Sequence, residues 1–163
     1  MENKEYMLID GNPVEINGEK NLLEVIRKAG IELPTFCYHS ELSVYGACRM
    51  CMVENSHGGM EAACSTVPKA GMEIYTNTER LHKHRKMILE LLLANHCRDC
   101  TTCQKNGKCR LQELASLFGL ESIRFKKLKP APELDTSSLS IIRYAHKCIL
   151  CGACVRRCNE IQN

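Results

Sequence analysis

The residues of this sequence that could carry chemistry are its twelve cysteines, which fall into three groups along 163 residues. Thiolates bind soft metals, and they form lasting disulfide bonds only in oxidising compartments. The amino terminus is charged and lacks the apolar run of a signal peptide, so we expect a cytoplasmic protein with reduced thiols. Metal ligation is therefore the leading explanation for the cysteines.

The first group has the spacing Cys-x10-Cys-x2-Cys-x12-Cys and consists of Cys37, Cys48, Cys51 and Cys64. Four thiolates suit a [2Fe-2S] cluster, which takes two at each iron, although plant-type ferredoxins have only four residues between the first two ligands. Gly46 and Ala47 are small, which lets backbone N–H groups approach the sulfur atoms and raise the reduction potential. The alternative is zinc, but all-cysteine zinc sites usually use two closely spaced pairs, so the spacing favours iron and sulfide.

The second group lies in the segment HCRDCTTCQKNGKC and has the spacing His-x3-Cys-x2-Cys-x5-Cys. Its members are His96, Cys100, Cys103 and Cys109. Three thiolates and one neutral imidazole can hold the four corners of a [4Fe-4S] cluster, and the imidazole removes one negative charge compared with four thiolates. A zinc ion bound by the same donors is the alternative that the spacing leaves open. Cys97 lies outside the pattern, and we expect a free, partly buried thiol, with substitution for His96 as the lesser alternative.

The third group, Cys148-x2-Cys151-x2-Cys154-x3-Cys158, has the spacing of bacterial ferredoxins and is the most specific signal in the chain. In two-cluster ferredoxins the first three cysteines hold one [4Fe-4S] cluster and the fourth binds the other, so Cys158 could ligate another cluster. No second run follows in the sequence. The chain could be a fragment of a longer protein, another subunit could supply ligands, or Cys158 could close its own cluster. We favour a fragment, because half a ferredoxin fold leaves a sheet edge and an apolar face uncovered.

Short alternating elements surround the first group. The segments 6–10 and 13–16 flank the pair Asp10-Gly11 and predict a β-hairpin, and residues 21–30 have the apolar period of a helix that ends at a glycine. Further strands are predicted at 50–55 and 72–76, with a strand-like segment at 60–64 between them. These elements predict an α+β domain of the β-grasp type over residues 1–77.

Helices are predicted on both sides of the second group. Thr76-x-x-Glu79 resembles a capping box before a helix that runs to Asn95, and residues 111–119 predict another that ends at a glycine. We expect a small helical [4Fe-4S] domain over residues 78–126, in which the basic stretch 82–86 forms a solvated face.

The rest of the chain, residues 127–163, is predicted to be a linker and an incomplete ferredoxin-type segment. The proline-containing stretch 126–138 predicts a connector, and LSIIRY, residues 139–144, predicts a strand.

The first two spacings, followed by LQELASLFGL, resemble the amino-terminal iron-sulfur region shared by [FeFe]-hydrogenases and the large iron-sulfur subunit of complex I. The resemblance implies a [2Fe-2S] cluster on the first group and a [4Fe-4S] cluster with one histidine ligand on the second. Cys97 matches no ligand of that family. The segments LQELASLFGL and CILCGACVRRCNEIQN favour the hydrogenase branch, including Asn159 where ferredoxins usually have proline.

The resemblance implies an electron relay that passes single electrons between a redox partner and a catalytic centre outside this chain. The expected partners are a catalytic hydrogenase-type domain or subunit and a ferredoxin or flavin/NAD(P)H subunit. NAD(P)-linked, electron-bifurcating hydrogenases and some formate dehydrogenases carry similar modules, so these and complex I stay open. A zinc-stapled interaction module is the alternative from another class.

Composition excludes several other functions. No catalytic site and no glycine-rich nucleotide loop is visible in the sequence. The longest apolar stretch, 87–95, is too short for a membrane span and is interrupted by Glu90. The formal net charge of +3 counts every thiol as neutral, so it gives no support for a nucleic-acid partner once metal-bound thiolates are considered.

Overall fold

The structure is a computed structural model that describes residues 4–127 and 134–162. The chain divides into two compact units, one formed by Met1–Lys83 with Cys151–Asn163 and the other by His84–Leu150. The three domains that the sequence suggests, with boundaries at residues 77 and 126, stay a prediction. The proposed connector at 126–138 lies partly outside the described residues.

A five-stranded mixed sheet forms the centre of the first unit. Its strands are β1 (Glu5–Ile9), β2 (Asn12–Ile16), β3 (Met52–Asn55), β4 (Met60–Ala62) and β5 (Glu73–Tyr75), in the spatial order β2-β1-β5-β3-β4. Strands β1 and β5 are parallel, and the other neighbours are antiparallel. Together with the helix α1 (Leu22–Lys28), this sheet confirms the predicted α+β class.

The predicted hairpin between β1 and β2 is confirmed, with Asp10 and Gly11 both in left-handed backbone at φ 50° and 80°. Two left-handed residues are what a type I′ turn requires, and its twist matches that of the strands. The Asp10 carboxylate also accepts hydrogen bonds from the Thr76 backbone N–H at 2.7 Å and from its hydroxyl at 2.5 Å. The turn is thereby joined to the end of β5.

This contact corrects the predicted helix cap. The helix α2 (Glu79–Asn95) is capped by Thr78, whose hydroxyl accepts a hydrogen bond from the Leu81 N–H at 3.2 Å. The Thr76 side chain is instead bound to Asp10, so the predicted capping box is wrong by two residues.

The core of the first unit lies between α1 and the sheet. Asn21 caps α1 by accepting a hydrogen bond from the Glu24 N–H at 3.1 Å. The side chains at the centre of this core, each less than 2 % exposed, are Met7, Ile9, Leu22, Leu23, Val25, Ile26, Val53 and Ile74. Burying each of the larger ones contributes about 1.5–3 kcal/mol. Cys51 and Cys64 belong to the same packed cluster, so the core directly supports two of the predicted ligands.

The second unit contains most of α2 and the helix α3 (Arg110–Leu117). Lys86 of α2 donates a hydrogen bond to the Gly119 carbonyl at 2.9 Å, at the end of α3. The buried Glu90 carboxylate accepts from the Arg124 backbone N–H and guanidinium, at distances between 2.5 and 3.1 Å. The expectation that residues 82–86 form a solvated face is wrong for Arg85, which is only 3 % exposed.

The predicted strand at 139–144 is also wrong. These residues are described, and their only ladder contact is an isolated bridge between Asp135 and Arg143. Leu139, Ile141 and Ile142 are exposed, and a single strand without a paired neighbour gains no ladder of hydrogen bonds. A short 3₁₀ helix follows at Ala145–Lys147, and the helix α4 (Ala153–Ile161) belongs to the first unit.

Candidate iron-sulfur sites

The four cysteines of the first group form two close pairs. The Sγ atoms of Cys37 and Cys48 lie 3.3 Å apart, and the thiol of Cys64 is hydrogen-bonded to Cys51. Cys48 is half-buried and the other three are buried. Each remote cysteine of the sequence motif is therefore paired with one member of the central Cys-x2-Cys.

A β-hairpin explains how Cys51 meets Cys64. Cys51 directly precedes β3, Cys64 lies two residues after β4, and the strands pair so that Met52 is opposite Ala62. The Ala63 N–H donates to the Cys51 carbonyl at 3.0 Å, which extends the ladder by one step. The twelve intervening residues thus fold back and bring both cysteines to the same end of the hairpin.

Hydrogen bonds to sulfur distinguish this site from an ordinary buried thiol cluster. The Cys37 thiol and the Met50 backbone N–H lower the pKa of Cys48 to about 5, and the Cys64 thiol lowers the pKa of Cys51 to about 7. The pKa values of Cys37 and Cys64 rise, because each donates its proton to its partner and is buried. Two thiol pairs with backbone donors to sulfur fit a two-iron cluster, which these four residues would hold as thiolates.

The second group surrounds one hollow in the second unit. Its lining includes all four predicted donors, His96, Cys100, Cys103 and Cys109, and also Cys97. The loop that carries these cysteines contains tight turns. In one of them the Cys103 N–H donates a hydrogen bond to the Cys100 carbonyl at 3.2 Å. Cys109 stands at the N-cap of α3, and its side chain makes no capping bond. Its thiol is therefore available for a metal at the start of α3.

The orientation of His96 is fixed by its own backbone. Its N–H donates to the Leu92 carbonyl at 3.1 Å, which continues α2 by one residue, and its Nδ1 contacts the Cys97 carbonyl. A carbonyl only accepts, so Nδ1 carries the proton and Nε2 keeps the lone pair that a metal needs. Three thiols and this imidazole around one hollow fit a [4Fe-4S] cluster.

Gln112 is a supporting residue that sequence reasoning missed. Its side-chain oxygen accepts from the Gly107 N–H at 3.2 Å, and its amide nitrogen donates to the Asn106 side chain at 3.1 Å. Gly107 has left-handed backbone, with φ 73°. One side chain of α3 therefore holds the turn that delivers Cys109, and nothing in the ligand spacing indicates this role.

The third group is divided between the units. Cys148 belongs to the second unit, where its sulfur accepts from the Leu150 N–H at 3.4 Å. Cys151 is half-buried just before α4, whereas Cys154 and Cys158 are exposed and one turn apart on that helix. Across residues 4–127 and 134–162, no group of three or more histidine, cysteine or acidic side chains has the arrangement of a metal-ion site.

Comparison with known proteins gives matches to both of the first two groups. Residues 6–79 match the 2Fe-2S iron-sulfur cluster binding domain family, and residues 85–124 match the NADH-ubiquinone oxidoreductase-G iron-sulfur binding region. An NADH-quinone oxidoreductase subunit of Rhizobium meliloti is 38% identical over 94% of this chain and 18% of its own length. The NADH-ubiquinone oxidoreductase 75 kDa subunit of Reclinomonas americana is 36% identical over 95% of this chain and 23% of its own length.

A solved structure extends the comparison to hydrogenases. An NAD+-reducing [NiFe]-hydrogenase in the H2-reduced state matches with a TM-score of 0.87 and 32% identity, over 95% of this chain and 66% of that chain. The fold and the matched regions define an iron-sulfur electron-transfer module, with a [2Fe-2S] domain followed by a [4Fe-4S] binding region.

The chain carries the iron-sulfur region of the complex I and hydrogenase family and belongs to that family, which confirms the predicted resemblance. It spans about a fifth of the length of the curated relatives that it matches. No helix in the described part of the chain is long and apolar enough to cross a membrane.

Proposed function

We propose that this chain is the electron relay of a hydrogenase-type oxidoreductase and passes single electrons between a redox partner and a catalytic centre outside the chain. The observation that carries this proposal is the pairing of four thiols, Cys37 with Cys48 and Cys51 with Cys64, in a domain of the [2Fe-2S] family. When bound, an iron-sulfur cluster supplies a one-electron change with little rearrangement. The protein supplies position, shielding from water and hydrogen bonds.

Each ligand set has an assigned cofactor in this proposal. One iron of the [2Fe-2S] cluster takes Cys37 and Cys48, and the other takes Cys51 and Cys64. The [4Fe-4S] cluster is held by three thiolates and one imidazole, supplied by His96, Cys100, Cys103 and Cys109. Support comes from the hollow that these four residues line and from the available Nε2 of His96. A further [4Fe-4S] cluster would use Cys148, Cys151, Cys154 and Cys158, on the strength of their ferredoxin spacing.

The proposed surroundings follow from the relatives. The solved relative is named as an NAD+-reducing hydrogenase. This name supports a flavin/NAD(P)H subunit or a ferredoxin as the redox partner, and a hydrogenase-type subunit or domain as the catalytic partner. Electron bifurcation would place the relay between two such donors. The curated relatives are NADH-quinone and NADH-ubiquinone oxidoreductase subunits, so a complex I module is the second candidate. The proposed location is the cytoplasm, because a reducing compartment keeps twelve thiols available for iron.

The decisive experiment is anaerobic purification of the full chain with iron, sulfide and zinc analysis, followed by EPR of the dithionite-reduced protein. We expect brown protein with about six irons per chain for two clusters, or about ten for three, and a two-iron signal distinct from a four-iron signal. A colourless, redox-silent protein that contains zinc would refute the relay and establish the zinc-stapled module.

A further inference from the structure

The first ligand loop is unusually long and has little regular structure to hold it. Residues 37–48 contain no helix or strand, although they separate two thiols that lie 3.3 Å apart. Backbone carbonyls in such a loop need donors when they are removed from water. The loop therefore depends on contacts from elsewhere in its unit.

Arg156 of α4 supplies these donors. Its guanidinium donates to the carbonyl of Ser43 and, at 2.6 Å, to the carbonyl of Cys37, a predicted cluster ligand. The same group lies 5.2 Å from the ring centroid of Tyr45, in cation-π geometry. Arg156 is only 8 % exposed, and its Nε has no hydrogen-bond partner among the described residues. The planar guanidinium is buried and rigid, and it binds two carbonyls of the same loop. It therefore fixes this loop at Cys37 and at Ser43.

The charge of Arg156 is not cancelled by a direct ion pair among the contacts that the structure describes. The nearest acid on α4, Glu160, uses its carboxylate on the Ser43 N–H at 2.7 Å and on the Ser43 hydroxyl at 2.5 Å. Glu160 is exposed, so water screens its charge more effectively than that of the buried guanidinium. Donation to the Cys37 carbonyl also places positive charge at the backbone of a proposed sulfur ligand.

We infer that Arg156 is a positioning residue for the [2Fe-2S] site, holding the loop of Cys37 in place and raising the reduction potential of the cluster. The inference rests on the proposed ligand set. Reduction adds one negative charge to a cluster, so a buried positive group nearby favours the reduced form. The same residue lies between Cys154 and Cys158 in the sequence, so the helix of the third cysteine group is fastened to the ligand loop of the first.

The test compares Arg156→Gln and Arg156→Lys with the controls Arg157→Gln and Arg157→Lys in the full chain. Arg157 is the matched control, because it is the next residue on α4, carries the same charge and reaches the same loop, but through an exposed ion pair with the Glu41 side chain and not through buried backbone carbonyls. An EPR-monitored redox titration gives the potential of the two-iron signal, and the four-iron signal serves as an internal reference. The rate of bleaching by an iron chelator reports how firmly the loop holds the cluster.

We expect Arg156→Gln to move the one-electron equilibrium about tenfold towards the oxidised cluster, which is equivalent to about 59 mV. Arg156→Lys should leave the reduction potential close to that of the wild type, because it keeps the charge. It should bleach several-fold faster, because an ammonium group cannot reproduce the two hydrogen bonds of the planar guanidinium. Arg157→Gln should match the wild type in both measurements. Potential and bleaching rate in Arg156→Gln equal to those of Arg157→Gln would overturn the inference.

Two further outcomes are decisive as well. If Arg156→Gln does not fold, faster bleaching of Arg156→Lys than of Arg157→Lys supports the positioning role, and equal rates overturn it. If the wild-type chain itself shows no two-iron signal, the proposed cofactor is wrong, and the inference about Arg156 falls with it. That outcome is distinguishable from one in which the wild type shows the two-iron signal but the Arg156 variants leave its potential and bleaching rate unchanged.

Discussion

Replacing His96 by cysteine is the sharpest test of the second site. With Nδ1–H facing the Cys97 carbonyl, a neutral His96 imidazole would bind iron through Nε2, so His96→Cys would add one negative charge to a shell of three thiolates. The added charge disfavours the reduced cluster. Rieske centres, with two histidines in place of two cysteines, lie at about −150 to +300 mV against about −400 mV, which corresponds to roughly 125–350 mV for each imidazole.

The structure indicates the lower end of that range. Lys105 and Lys147 line the same hollow and would partly offset the new charge, and Cys100 is exposed to water. We therefore expect the four-iron potential to fall by about 125 mV, which is about 2.9 kcal/mol for one electron. The measurement is a redox titration followed by EPR, in which the two-iron signal should not move. Retained iron with an unchanged four-iron potential would refute ligation by His96.

Three further predictions test separate parts of the structure. Cys97→Ser should leave the iron content unchanged, and loss of four irons would show that Cys97 is a ligand. Cys51→Ala should remove the two-iron EPR signal and spare the four-iron signal, because the ligand sets do not overlap; loss of both would show that the sites depend on each other. Gly152→Ala and Gly18→Ala both place alanine in left-handed backbone, at a cost of about 1–2 kcal/mol, but only a Cβ at Gly152 would meet Tyr45, at 3.0 Å. Urea unfolding should therefore show a larger loss for Gly152→Ala, and equal losses would mean that the Tyr45 ring moves aside.

Local features of the first unit could be predicted because their causes are close in sequence. The pair Asp10-Gly11 specifies a hairpin turn, and the apolar spacing of residues 21–30 specifies a helix followed by a left-handed glycine. The ligand groups could be identified from spacing for the same reason. Each cysteine motif has a characteristic spacing of donors along the chain, so the chemistry is visible before the fold is known.

Features with distant causes were missed. Thr76 is of a residue type that commonly caps helices, but its hydroxyl binds Asp10, 66 residues earlier in the chain. The helix α2 is capped by Thr78 instead. LSIIRY has the apolar content of a strand, but a strand also needs a neighbour, which no local pattern reveals. The contact between Arg156 and the Cys37 carbonyl joins residues 119 apart, and spacing alone cannot predict it.

The two sites balance the charge of their thiolates by different means. In the proposed first site, Cys37, Cys51 and Cys64 are buried, so water would contribute little and the compensation would come from backbone N–H groups and a buried guanidinium. In the proposed second site, Cys100 is exposed and a neutral imidazole would take the place of one thiolate, so solvent and ligand identity would reduce the charge instead. Because burial raises the energy of every added electron, the site with four thiolates needs the stronger set of donors, and it is there that the long loop is held by a side chain from α4.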